Sequence, residues 1–455
     1  MGAITGGAPD AIVVGGGVAG LAAGTALAEA GARIVLLEAR PYLGGRARSW
    51  IDPDTGSVVD NGQHLFIGCY RETRRLLDRL GTGGALELQS RLEVPFVERG
   101  GRLRVFRLPA LLPHPLDLSL GLLGFPGLSA RDRLSLFRVA RAARRSGRGG
   151  GDAAFDDRTV ASLLRDLDQS EEASRRIWRP LAIAALNESP ERASAAMFLP
   201  VLRGALLSGP QDARLGLARV GLSDLYAEPA ARYLRARGSE LRLRAQVRRV
   251  LVERDRCAGV MLADGARLAA PSLVVAVPPA DLLEMLMPDV AADPFFSRAS
   301  RLETTPIVSV YLWFGAPVLQ LKFAGLIGGT WQWVFNRGGH EGGRGGLHGV
   351  TMVRSAARDV VDRPKETLIR SSLEELHAFF PRSRRAPLRH AMVIKEKRAT
   401  ISPLPGSMRC RPSFRTPYRG LHLAGDWTAT GLPATVEGAA LSGHACAGQV
   451  TEGAG

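Results

Sequence analysis

Along the first forty residues, apolar and polar positions fall into two different periods. Residues 11–15 carry nothing polar, 21–30 are Ala-rich and helix-forming, and 33–38 return to β-branched and apolar side chains. This predicts strand, glycine turn, helix and strand within about 30 residues, the repeating unit of a buried parallel sheet. After residue 100 the pattern changes. Phe106 to Gly151 is rich in Leu, Pro and Arg, with a proline-broken, loop-like start and a helix predicted over Ala130 to Arg145. That helix reads either as a surface helix over the core or as an edge that contacts a membrane. Two helices are predicted at Glu171 to Asn187 and Glu191 to Leu207, kinked at Pro180 and Pro200.

Strand signals return at 240–253, 257–263 and 272–277, and again at Thr305 to Phe314, Trp331 to Phe335 and Gly349 to Arg354. A helix over Lys365 to Phe380, a strand near 390–396, a short strand Leu421 to Ala424 and a small-residue helix after Pro433 complete the chain. The predicted fold is α/β: a Rossmann-type nucleotide-binding domain built from 1–100, 233–290 and 400–455, interleaved with an α+β substrate domain from 101–232 and 291–399. The glycine-rich 338–346 reads as a surface loop.

Composition narrows the choices. The 455 residues suffice for two domains, and no apolar run approaches the length of a membrane span. Four widely spaced cysteines and eight histidines show no metal-ligand spacing, so neither a disulfide framework nor a metal is expected, and the reading is cytoplasmic. The net charge of +16 is almost all arginine, spread from Arg33 to Arg419, which fits a solvated surface better than a nucleic-acid site. It also suits an anionic membrane surface.

Candidate chemistry begins with Gly15, Gly17 and Gly20, a GxGxxG directly after a strand and opening a helix. Gly15 permits the turn, Gly17 lets backbone approach a pyrophosphate, and Gly20 allows close contact of helix and strand. Glu38 ends the second strand, where its carboxylate can accept ribose hydroxyls. These residues ask for a dinucleotide and leave NAD and FAD open.

The continuation Glu38-Ala39-Arg40 and Gly44-Gly45-Arg46 resembles the extended fingerprint of the FAD-dependent amine oxidase and carotenoid desaturase superfamily. Further stretches, VVDNGQHLFIGCYRETRRLLDRLG (58–81), RPLAIAALNESPERASAAMF (179–198), QWVFNRG (332–338), KRATISPLPG (397–406) and AGDWTATGLPATVEGA (424–439), are similar to the squalene-associated FAD-dependent desaturases. Members of that family act as hydroxysqualene dehydroxylases in bacterial squalene and hopanoid synthesis. The resemblance implies FAD held by Gly15, Gly17, Ala19, Gly20, Glu38, Ala39, Arg40, Gly45, Arg46, Gln63, His64, Val247, Gly425, Asp426 and Val436. It implies a lipophilic isoprenoid substrate, with other enzymes of squalene synthesis as candidate partners and a peripheral position on the inner membrane face.

His64 is the candidate proton donor, since imidazole titrates nearest neutrality; Tyr70 and Glu188 are weaker ones. Phe198, Leu199, Leu202, Leu206, Leu312, Phe314, Trp331, Trp333 and Phe335 are candidate walls of a substrate tunnel, and Trp427 a candidate wall beside the flavin. Alternatives are desaturation of a carotenoid precursor such as phytoene, amine oxidation, and a basic nucleic-acid- or lipid-binding protein on a vestigial flavin fold.

Overall fold

Strands from three distant stretches of chain assemble into one five-stranded parallel sheet, in the order Glu240–Leu243, Ile34–Glu38, Ala11–Val14, Ser272–Val275 and Leu421–Leu423. The computed structural model describes residues 8–109, 112–125, 127–146, 155–337 and 346–453. The inner strands Ala11–Val14 and Ile34–Glu38 are buried at every position, which is why they read as unbroken apolar runs rather than alternating ones. The helix Val18–Glu29 is likewise buried on nearly all sides, packed between this sheet and the terminal helix Val436–Glu452. Their small residues allow the close crossing: a Cβ on Gly443 would lie 2.2 Å from the Ala19 carbonyl oxygen.

A second, seven-stranded sheet lies in the order Leu388–Ile401, Thr304–Phe314, His348–Arg354, Trp333–Asn336, Phe323–Leu326, Glu93–Glu98 and Arg102–Arg107. Its strand pairs are antiparallel except where Phe323–Leu326 meets Glu93–Glu98. The strand at 93–98, which the sequence groups with the first nucleotide-binding segment, is therefore hydrogen-bonded into this other sheet. The strand predicted near 390–396 extends over Leu388–Ile401, because Thr304–Phe314 pairs with it along its length.

Two further expectations are corrected. The single strand predicted over 240–253 is two: Glu240–Leu243 edges the parallel sheet, and Val247–Glu253 forms a hairpin with Arg256–Leu262. The chain breaks at Arg244, whose φ of 56° is left-handed and incompatible with a continuing strand. The stretch from Phe106, read as loop, opens on the last two residues of the strand Arg102–Arg107 and then contains a helix, Leu116–Leu123. The predicted helix at 130–145 is present as Ala130–Ser146.

The helix predicted from Glu171 runs to Leu186 without breaking at Pro180, passing through a π-helical turn at Ser174–Trp178. Its partner begins at Ala195, not Glu191, and ends in a second π-helical turn, Arg203–Leu207. The glycine-rich stretch at 338–345 lies outside the described residues.

Candidate functional site

The carboxyl ends of the parallel strands open onto a cavity of about 1020 Å³ that continues under the seven-stranded sheet. At the sheet end, Glu38 accepts the Gly16 amide on one oxygen at 2.7 Å and the Arg40 amide on the other at 2.8 Å. The carboxylate is thus fixed in place at the cavity wall with lone pairs left for a ligand hydroxyl. Gly15 and Gly17 line the cavity, whereas Gly20 does not. A Cβ at Gly20 would stand 1.9 Å from the Gly15 carbonyl oxygen, so its place is packing of helix against turn. Gly17 and Gly45 pack backbone against backbone at the cavity wall, and a side chain on Gly45 would press to 3.1 Å from the Gly17 Cα. Ala19, Ala39, Arg40, Arg46, Gln63, His64, Val247, Gly425, Asp426 and Val436 also line it.

Arg46 donates to Asp426 at 2.7 Å and to the Ala399 carbonyl at 2.9 Å, joining three segments far apart in sequence. Asp426 raises the Arg46 pKa further above its ordinary value. The turn at 425–432 is held from behind by buried Arg411, which donates to the carbonyl of Leu432 at 2.7 Å and whose pKa burial lowers to about 10. Thr435 caps the terminal helix through the Gly438 amide, and the helix N-terminus, at Thr435 to Glu437, faces the cavity. An anion is favoured there by the free N–H groups and the helix dipole.

His64 is the one imidazole among the described residues that line the cavity. Its Nδ1 lies 2.8 Å from the Gly62 carbonyl oxygen, so Nδ1 carries a proton and Nε2 is the ring nitrogen left for the cavity. Burial lowers its pKa, against the raising effects of the Gly62 carbonyl and of Asp60. The loop carrying it is pinned: Arg337 donates to Asp60 at 2.8 Å and to Gln63 at 2.8 Å, and Tyr311 donates to the Asp60 carbonyl. Asn61 bridges the Arg46 carbonyl and Glu396.

Much of the remaining lining is hydrocarbon, from Leu92, Phe96, Leu118, Leu122, Leu136, Ile177, Leu181, Leu206 and Ile307 among others. Of the predicted tunnel walls, Leu202, Leu206, Trp333 and Phe335 line the cavity. Phe198 and Leu199 instead pack in the neighbouring core, and Leu312, Phe314 and Trp331 on the opposite side of the sheet. Strand side chains alternate between faces, which puts Ile307 toward the cavity and Leu312 and Phe314 away from it. Glu188 is also elsewhere, buried and taken by Ser402 and Arg358. Asp52, Asp54 and His390 approach one another, with the imidazole 3.8 Å from each carboxylate, but none of the three lines the cavity.

The pattern of flavin containing amine oxidoreductases matches residues 18–451. The chain belongs to that family. It is 30% identical over 449 residues to hydroxysqualene dehydroxylase of Rhodopseudomonas palustris, covering 96% of both chains, and 28% identical to that of Sinorhizobium fredii over the same shares. The 15-cis-phytoene desaturase of Glycine max is 24% identical, covering 97% of this chain and 79% of the other. Among solved structures, cyclohexylamine oxidase from Brevibacterium oxydans superposes with a TM-score of 0.74 at 19% identity, over 98% of this chain and 99% of that one. This chain is thus an FAD-dependent oxidoreductase with an α/β flavoprotein fold.

The flavin oxidoreductase cleft fits FAD on its own geometry: a side-chain-free Gly17–Gly45 cradle, a fixed Glu38 and a helix N-terminus at the far end. Glu38 suits the ribose, Gly17 and Gly45 the pyrophosphate, and the Thr435–Glu437 helix start the flavin ring. Trp427 lines the cavity too, but it is 1% exposed and its indole N–H is spent on the Val277 carbonyl at 2.9 Å. It is first an anchor of the turn. Residues passed over in the sequence include Asn61, Arg248 and Glu396, all of which line the cavity. Asn61 could have been found from its place inside DNGQH; Glu396 had no signal beyond one carboxylate in a strand.

Proposed function

We propose that this flavoenzyme reduces hydroxysqualene to squalene, releasing water, in squalene and hopanoid synthesis. The observation that carries the reading is the single cavity in which the dinucleotide cleft runs on, past one imidazole, into a hydrocarbon-lined chamber. The full-length similarity to hydroxysqualene dehydroxylases supports it. The allylic C–O bond breaks with its electron pair going to oxygen, oxygen takes a proton and leaves as water, and a hydride closes the carbon. Bound and reduced, FAD supplies that hydride. The protein's own part is to seat the chain in hydrocarbon, exclude water and deliver the proton. Protonated His64 delivers it from Nε2, since Nδ1 is committed to Gly62.

A second reading is desaturation of an isoprenoid such as phytoene. It is favoured by the burial-lowered pKa of His64, which leaves Nε2 a free lone pair near neutrality and suits it to removing a proton. Purified holoenzyme incubated with hydroxysqualene under chemical reduction of its flavin should yield squalene, detected by mass spectrometry. Unchanged alcohol together with dehydrogenation of phytoene would replace the first reading by the second. Among the described residues no helix is long and apolar enough to cross a membrane. A substrate this lipophilic nevertheless resides in lipid, and we place the enzyme in the cytoplasm, peripheral on the inner membrane face.

A further inference from the structure

The helix Leu116–Leu123, LDLSLGLL, is apolar on almost every side. Leu118 and Leu122, one turn apart, are buried and line the cavity. Leu116 and Leu120, one turn apart on the other flank, are 55% and 50% exposed. A helix apolar all round belongs in a core or in lipid, and this one has a core on one flank only. The helix Ala130–Ser146 packs against it and repeats the arrangement. Leu136 and Ala140 line the cavity, whereas Leu134 is 64% exposed.

The outward stripe of this second helix reads Leu134, Arg138, Arg141 and Arg145, at i, i+4, i+7 and i+11, with Arg131 and Arg144 beside it, all exposed. Arg138 is paired with Asp168. Arg141, Arg144 and Arg145 form no ion pair among the described residues, and the one acidic residue of the helix, Asp132, is bonded to Ser129 at its N-terminus. Exposed leucines flanked by exposed guanidinium groups match the acyl boundary and anionic headgroups of a leaflet. A protein partner would have to supply both an apolar groove and an acidic rim at the same spot.

We infer that the outward faces of Leu116–Leu123 and Ala130–Ser146 dock the enzyme on an anionic lipid leaflet, with one helix separating that leaflet from the substrate chamber. The inference rests on the reading of a lipophilic substrate and names where it enters. Leu116, Leu120 and Leu134 enter the acyl boundary, and Arg141, Arg144 and Arg145 meet headgroup phosphates. The substrate then passes from hydrocarbon to hydrocarbon around or beneath Leu116–Leu123 without crossing water.

The test is sedimentation of holoenzyme with vesicles of phosphatidylcholine, with and without phosphatidylglycerol. Binding is expected to vesicles containing phosphatidylglycerol, to weaken with salt, and to drop about tenfold or more in the double variant Leu116→Ser, Leu120→Ser. The triple variant Arg141→Gln, Arg144→Gln, Arg145→Gln should lose the salt-dependent part. Unchanged flavin absorbance and melting temperature certify the fold of each variant. Absent binding, binding unaffected by the leucine changes, or a concentration-dependent oligomer that those changes abolish without any vesicle binding, each overturns the inference. Turnover in detergent keeps the two readings apart. A wild-type enzyme that binds vesicles but ignores hydroxysqualene in detergent sinks the proposed reaction and leaves the docking surface standing. Leucine variants that turn over in detergent but fail on vesicle-borne substrate support both.

Discussion

His64 illustrates how one residue's surroundings set its chemistry. Its Nδ1–H is fixed on the Gly62 carbonyl and burial lowers its pKa, so the imidazolium is scarce at neutral pH but a stronger acid when formed. If that imidazolium protonates the leaving hydroxyl, kcat/KM should rise as the pH falls from neutrality and level off only under the lowered pKa. His64→Gln should cut turnover by about a hundredfold to ten-thousandfold and flatten this acid limb, with flavin absorbance retained. Rapid-quench assays across pH check both. A rise toward alkaline pH would instead mark His64 as a base, as desaturation requires. Glu38 and His64 were both legible in the sequence, because each sits inside a short motif whose geometry is local. Glu188 was misjudged for the opposite reason: its partners Ser402 and Arg358 come from far along the chain.

Pairs of elements are locked by the buried Glu437, in the first turn of the terminal helix. It accepts the amides of Glu72 and Thr73 and the Thr73 hydroxyl, capping the helix Arg71–Arg79. Burial raises its pKa. The folded protein therefore binds this proton more tightly than the unfolded chain, so the group's contribution to stability is greatest below the unfolded value and declines as pH climbs through the raised one. Glu437→Gln should lower stability by about 1–3 kcal/mol through mismatched amide donors, and should flatten that decline. Melting temperatures followed across pH test the sign. At this scale the sequence located most elements but not their partners. The stretch 240–253 was one apolar-alternating run, and only the separate claims of Glu38 and Leu262 on its two halves divide it. The helix Leu116–Leu123 was hidden because prolines at 113 and 115 suggest a loop.

For the molecule as a whole, the decisive feature is that cofactor cleft and hydrocarbon chamber are one space. Filling the chamber away from the cleft should separate the two. Ala140→Phe places a ring against the substrate end, and should lower kcat/KM about tenfold or more while leaving flavin content unchanged. Loss of flavin in that variant would mean that the two ends are not independent. The sequence by itself determined the dinucleotide unit and, through its resemblance, the flavin family. Those demands are met by neighbours along the chain: glycines at a turn, a carboxylate at the next strand end, a helix start. Which leucines and aromatic residues face the chamber, which face outward, and which hold Asp426 and the His64 loop were decided only in three dimensions. A strand or helix has two faces of similar apolar character, and only its packing partners determine which one turns inward.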